Sequence, residues 1–228
     1  VVVNVSHYKM KNNETGFVRY MKPAEFEQII QWVFTRLEKT PPTQMAFLTQ
    51  AYLGLRISET IALKRDNFNK DFSILTFTPL KSRTAKIHTR AIPKVLQGLL
   101  TTYHIKWRRR YRNGYLFPPF RNQSKADHIK RSTIHHWFMR LRKELDMMDC
   151  YHTVPQTNFP NGKRLFRISS HTFRHHFAWK IYTASGKDIR AVQQILDHKD
   201  ITTTSIYINA LKSAHDNYEQ SIVDKAFT

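Results

Sequence analysis

The chain has 228 residues, with 37 Lys and Arg against 17 Asp and Glu, a formal charge of +20 and 12 further histidines. Hydrophobic residues make up 41% and aromatics 13%, too much apolar material for a disordered basic tail, so the charge sits on a folded body whose expected partner is a polyanion. The single cysteine, Cys150, excludes an intrachain disulfide and a cysteine-based zinc site, and fits a reducing, cytoplasmic or nucleoid setting.

The longest uncharged stretch, Thr40 to Leu55, is broken by Pro, Gln and Thr and falls short of the roughly 18 apolar residues of a membrane span. Residues 1–20 read as an arm or linker, and the opening VVVNVSHYK, without methionine, places position 1 inside a longer chain. Pro23 suits a first helical turn, and Phe26, Ile29, Ile30, Val33, Phe34 and Leu37 form the apolar stripe of an amphipathic helix. Pro41-Pro42 separates it from a second helix over 43–53, with Phe47, Leu48, Ala51 and Tyr52 on one face and Gly54 as its stop. Ser58 reads as the N-cap of a short helix to Leu63.

Two strands, Phe72–Phe77 and Lys86–Ile92, flank a basic turn at Pro79–Thr84. A helix is predicted from Pro93 to Tyr111, ending in the basic run through Arg112, and another from Thr133 to Leu145, with a loop at Pro118–Lys130 between them. Residues 150–168, with two prolines and a glycine, read as an ordered but irregular connection. Helices are expected over 172–185, 188–196 and 203–223, the last broken near Lys212.

Four separated stretches set unusual polar residues beside apolar structure: GLRISET (Gly54–Thr60), PLKSRTAK (Pro79–Lys86), HTFRHHFA (His171–Ala178) and LDHKDITTTSIY (Leu196–Tyr207). Cleaving a phosphodiester without a metal needs charge on two non-bridging oxygens to be balanced, which guanidinium does bidentately, so Arg56 and Arg174 suit a phosphate clamp. A tyrosine hydroxyl, with a pKa of about 10, attacks only when positioned and assisted, and then forms a covalent phosphotyrosine; Tyr207 suits that role. The departing 5′ oxygen needs a proton that a hairpin lysine, Lys81, can supply, with Lys86 as the alternative. His171 and His198 suit hydrogen bonds to the phosphate or the nucleophile, and Glu59 the orientation of a histidine or arginine.

In order and spacing these stretches resemble the motif regions of the tyrosine recombinase (phage integrase) family over residues 20–212. The G-L-R-x-S-E pattern falls on Arg56 and Glu59, the hairpin lysine on Lys81, H-x-x-R on His171 and Arg174, the later histidine on His198 and the nucleophile on Tyr207. Asp197 stands where the family has glycine, a departure expected to crowd the turn or set a negative charge near the phosphate. The resemblance implies an α+β fold: a mainly helical catalytic domain over 21–212 with a small antiparallel sheet, an upstream DNA-clamping domain, and a segment 213–228 that packs on a neighbouring protomer. It also implies a homotetramer on two DNA duplexes at a recombination site, with no cofactor, metal or ATP and no membrane.

Arg83, Lys86, Arg108, Arg109, Arg110 and Arg112 are the expected DNA-backbone contacts, adding affinity rather than sequence choice. His175 and His176 read as packing or capping side chains, and His171 with His175 lacks a nearby third ligand for zinc. Competing readings are a topoisomerase or telomere resolvase using the same chemistry, an inactive DNA-binding relative, and a metal-dependent nuclease.

Overall fold

The computed structural model describes residues 21–36, 41–79, 87–120, 126–156, 159–198, 200–202, 204–205, 208–209 and 211–212, with the side chains of 150–165 outside that description. The architecture is mostly helical, with two separate two-stranded antiparallel sheets. The chain divides into two compact units, one of residues 22–147 and one holding 148–228 with the N-terminal segment.

The first unit opens with α1 (Pro23–Phe34), whose Pro23 occupies the first turn, where its missing N–H costs nothing. The apolar stripe holds at Phe26, Ile29, Ile30 and Val33, but Phe34 is 38% exposed and Trp32 is buried in its place. A polar cluster accounts for this. Trp32 Nε1 donates to Glu144 at 2.9 Å, its ring meets Trp137 edge-on at 5.1 Å, and Arg36 and Arg140 also donate to the same carboxylate. One acidic side chain near the end of α5 (Arg131–Glu144) therefore fastens α1 to it.

Helix α2 (Pro41–Leu53) begins at the prolines instead of after them, and nearly every residue is buried, including Thr43, Gln44, Thr49 and Gln50. It is the central helix of the unit, so the single apolar face expected from the sequence gives way to burial all round. Phe47 packs on Phe138 of α5 with ring centroids 4.6 Å apart. Gly54 stops α2 at φ 59°, its N–H bonded to the Gln50 carbonyl at 2.9 Å.

Helix α3 (Ile57–Ile61) starts two residues earlier than the sequence suggests, with Arg56 and not Ser58 at its N-cap. Glu59 decides this: its carboxylate accepts the Arg56 N–H at 2.9 Å, while Ser58 lies inside the helix. Strands β1 (Ile74–Phe77) and β2 (His88–Ala91) pair antiparallel, Ile74 opposite Ala91 and Phe77 opposite His88, as the expected hairpin but shorter at its outer ends. Arg65 shapes the turn entering β1, donating to the carbonyls of Phe68, Asn69 and Lys70 and stacking over Phe72, which sits buried at φ 57°.

Helix α4 (Lys94–Trp107) ends before the basic run, which forms a 3-10 turn over Arg108–Arg110. The reason is aromatic packing around the helix end: Tyr103 stacks on Trp107 at 6.0 Å and donates to the Leu116 carbonyl at 2.9 Å, turning the chain back.

In the second unit, 150–168 is not an irregular connection. Strands β3 (Cys150–Gln156) and β4 (Phe159–Phe166) form an antiparallel hairpin with register irregularities near each end. Those irregularities scatter the alternation on which a strand is recognised, and Pro155 and Pro160 hid the rest. Helices α6 (Ser170–Ala184) and α7 (Ile189–Leu196) follow, and residues 201–202, 204–205, 208–209 and 211–212 are helical. Ala178, Tyr182, Val192, Leu196, Ile208 and Leu211 form the core joining them. Residues 1–20 and 213–228 of the expected arm and C-terminal segment lie outside the described residues.

Candidate active site

Arg56 is delivered by a well-tied turn. After Gly54, the Leu55 carbonyl accepts Gln50 Nε2 at 3.3 Å, and Arg90 of β2 donates to the Leu53 carbonyl at 2.6 Å, so the hairpin base is fixed beside α2. Glu59, with a side chain only 3% exposed, accepts the Arg56 backbone N–H at 2.9 Å and Nη1 at 3.0 Å, while the Arg56 side chain is 32% exposed. A buried carboxylate at a helix N-terminus thus holds one side of a guanidinium that still reaches solvent. Of the two partners the sequence offers Glu59, the structure selects the arginine.

In the second unit, α6 carries His171 in its first turn and Arg174 one turn on, spacing that puts both on one face. The helix start is clasped: Thr172 Oγ1 accepts the Ser169 N–H at 3.0 Å and donates to the Arg167 carbonyl at 2.5 Å. Arg167 in turn grips Asp149 through Nε and Nη2 at 3.0 and 2.7 Å, tying the foot of the β3–β4 hairpin to α6. His171 is exposed, and Arg174, 8% exposed, donates from Nη2 to the Leu196 carbonyl at 2.5 Å. That acceptor belongs to the last turn of α7, where unpaired carbonyls carry partial negative charge.

The same turn bears His198. Asp197 adopts φ 55°, ψ 47°; its N–H bonds to the Gln194 carbonyl at 3.3 Å, and the His198 N–H to Gln193 at 3.1 Å. This is a left-handed helix stop, normally glycine's, which aspartate tolerates better than most residues. Gln193 Nε2 also bonds to the His198 carbonyl at 3.1 Å, and His198 Nδ1 lies 3.1 Å from Oγ1 of the fully buried Thr204. Thr172, Gln193, Leu196 and Thr204 were all missed by sequence reasoning. Thr204 had a signal: Asp200 as N-cap places it on the face of Ile208 and Leu211, four and seven residues on.

Lys81, Arg83, Lys86 and Tyr207 lie outside the described residues, so the structure leaves the lysine choice and the nucleophile where the sequence put them. Of the expected DNA contacts, Arg108, Arg109 and Arg110 are exposed on the 3-10 turn, Arg110 over the Trp107 ring at 4.8 Å, whereas Arg112 donates to the Ala126 carbonyl at 3.1 Å as a strut. His176 is buried within α6, as its packing role required. Among the described residues, no His, Cys, Asp and Glu group is arranged to hold a metal, and no helix is long and apolar enough to cross a membrane.

Known proteins resemble this chain in sequence and fold. The chain is 27% identical over 197 residues to tyrosine recombinase XerA of Thermococcus kodakarensis, covering 82% of the chain and 61% of that protein. It is 26% identical over 161 residues to tyrosine recombinase XerD of Listeria monocytogenes, covering 70% and 47%. The chain thus spans no more than about three-fifths of the curated relatives it matches. Among solved structures, a XerA recombinase superposes with TM-score 0.62 at 23% identity over 89% of this chain and 65% of that one. A XerH recombinase bound to its difH substrate superposes with TM-score 0.61 at 18% identity over 84% and 50%. The family model described as the phage integrase family matches residues 19–214, most of the chain, and the chain belongs to that family.

Proposed function

We propose that this chain is the catalytic part of a site-specific DNA recombinase that cuts and rejoins strands through a 3′-phosphotyrosyl intermediate. The observation that carries this reading is the pre-orientation of both clamp arginines, Arg56 by Glu59 and Arg174 by the Leu196 carbonyl, within a chain of this family. Guanidiniums already held by fixed acceptors need little reorganisation when a phosphate arrives, which is where electrostatic catalysis gains most.

Tyr207 Oη gives its proton to His171 and attacks the scissile phosphorus in line, bonding to it as the 5′ oxygen leaves and takes a proton from Lys81. Arg56 and Arg174 balance the charge on the non-bridging oxygens while His171 and His198 donate to them, and Glu59 holds Arg56 in place. The phosphate stays activated in the protein–DNA bond, so the 5′ hydroxyl of a second strand reverses the step and no ATP is consumed. Exchange between two duplexes calls for four active sites, hence a homotetramer at a recombination site, in the cytoplasm with the chromosome. Arg108, Arg109 and Arg110 supply backbone contacts with the duplex. The XerH structure in complex with its substrate supports DNA as the partner.

The test uses suicide DNA, nicked near a candidate site taken from the DNA flanking the gene, in EDTA. Wild type yields a denaturation-resistant protein–DNA adduct and Tyr207→Phe binds the DNA without one. An adduct in Tyr207→Phe moves the nucleophile elsewhere, and cleavage without any adduct that EDTA abolishes points to a metal nuclease.

A further inference from the structure

Resemblance to the family supplies His198 but nothing that sets its ring. We propose that Thr204 is the positioning residue for His198, its hydroxyl donating to Nδ1 so that the ring proton stands on Nε2. The role rests on the recombinase reading, in which His198 is a hydrogen-bond donor to phosphate.

The argument is one of donors and acceptors. Thr204 is 0% exposed, and among the described residues its hydroxyl meets Nδ1 of His198 at 3.1 Å. A buried hydroxyl must place its hydrogen on an acceptor or bear the cost of desolvation. Were Nδ1 protonated, that nitrogen would donate to Oγ1 and leave the threonine hydrogen without an acceptor among the described residues. With Nδ1 bare, O–H donates to it, both groups are satisfied, and the neutral imidazole carries its proton on Nε2 as a donor.

Both ends of this bond are anchored independently. His198 is fixed through its own backbone, whose N–H and carbonyl are both bonded to Gln193 at 3.1 Å. Thr204 is fixed by its helix: Asp200 Oδ1 accepts the Thr202 N–H at 2.8 Å at the start, and Ile208 and Leu211, each 1% exposed, pack into the core with Val192 and Leu196. Thr204 touches neither phosphate nor nucleophile in this scheme and acts through the imidazole.

Thr204→Val keeps the shape and removes the hydroxyl, and Thr204→Ser returns it. Two readouts are taken: the 15N shifts of the His198 ring, assigned by their loss in His198→Gln and needing no DNA, and single-turnover adduct formation on the suicide DNA. The expected result is an Nε2–H tautomer in wild type, mixed tautomers and about tenfold slower adduct formation in Thr204→Val, and recovery of both in Thr204→Ser. An Nδ1–H tautomer in wild type, or a Thr204→Val protein with wild-type shifts and rate, overturns the proposal. If Thr204→Val does not fold, the wild-type tautomer and the serine variant decide it. If wild type itself forms no adduct, the recombinase reading falls, while the ring shifts still report whether Thr204 sets the tautomer.

Discussion

Arg174 on α6 donates from Nη2 to the carbonyl oxygen of Leu196 across 2.5 Å, so the last turn of α7 orients a guanidinium two residues before it delivers His198. A helix C-terminus with its unpaired carbonyls is a natural holder for a cation.

Lysine at this position keeps a charge but loses the planar fork, which in the proposed mechanism engages the Leu196 carbonyl and a phosphate together. Arg174→Lys should therefore slow adduct formation by at least ~10²-fold while leaving duplex affinity at low salt within a few-fold of wild type. Single-turnover kinetics beside a filter-binding isotherm separates the two. Equal losses in both would make Arg174 a binding residue only.

Glu59 caps α3 and holds Arg56 in one gesture, so its loss should register in stability as well as rate. Glu59→Ala is expected to lower the unfolding free energy by about 2 kcal/mol, combining a lost cap with a lost charge-assisted bond. Glu59→Gln, which still accepts hydrogen bonds, should lie between. Urea titrations of the three proteins check the order, and an alanine variant as stable as wild type refutes the double role.

At the Trp32–Glu144 cluster the sign of the pH effect follows from the structure. Hydrogen bonds from Arg140 and Trp32, then the charges of Arg36 and Arg140, hold the Glu144 carboxyl below its ordinary value. A carboxyl depressed in the folded state adds stability that is whole above its unfolded pKa, about 4.3, and is lost as pH falls through the lower folded value. Tm of wild type should exceed that of Glu144→Gln at neutral pH, and the gap should close on acidification below that pKa. A gap that stays constant to low pH means that the charge on Glu144 contributes nothing.

Asp197 sits at φ 55° where glycine carries no steric cost. Asp197→Gly should raise stability by up to about 1 kcal/mol, and Asp197→Val, β-branched and intolerant of that conformation, should lower it by more. Denaturant midpoints provide the measure. The glycine variant should form adduct as wild type does, since the turn that carries His198 is kept.

Much of the candidate site is legible in the chain because its chemistry is local. Arg56 with Glu59 lies within one helical turn, His171 with Arg174 within another, and His198 at a helix stop, so each falls inside a short motif on which the family resemblance rests. The hairpin β1–β2 and helix α1 are legible for the same reason: their alternation and apolar stripe are short-range patterns. The β3–β4 hairpin was lost because prolines and register irregularities break the period of two that marks a strand.

What the sequence determined by itself is a strongly basic body of helices with a small sheet, and the order in which the motif side chains appear along it. The tertiary structure decided the partners that aim those side chains. Whether Trp32 or Phe34 enters the core, whether Arg56 or Ser58 starts α3, which carbonyl holds Arg174, and which hydroxyl meets His198 all depend on groups from other turns or other helices. A hydrogen bond between α6 and α7, or between a helix stop and the next helix, has no periodicity to read, because it is set by packing that comes into being only when the core closes.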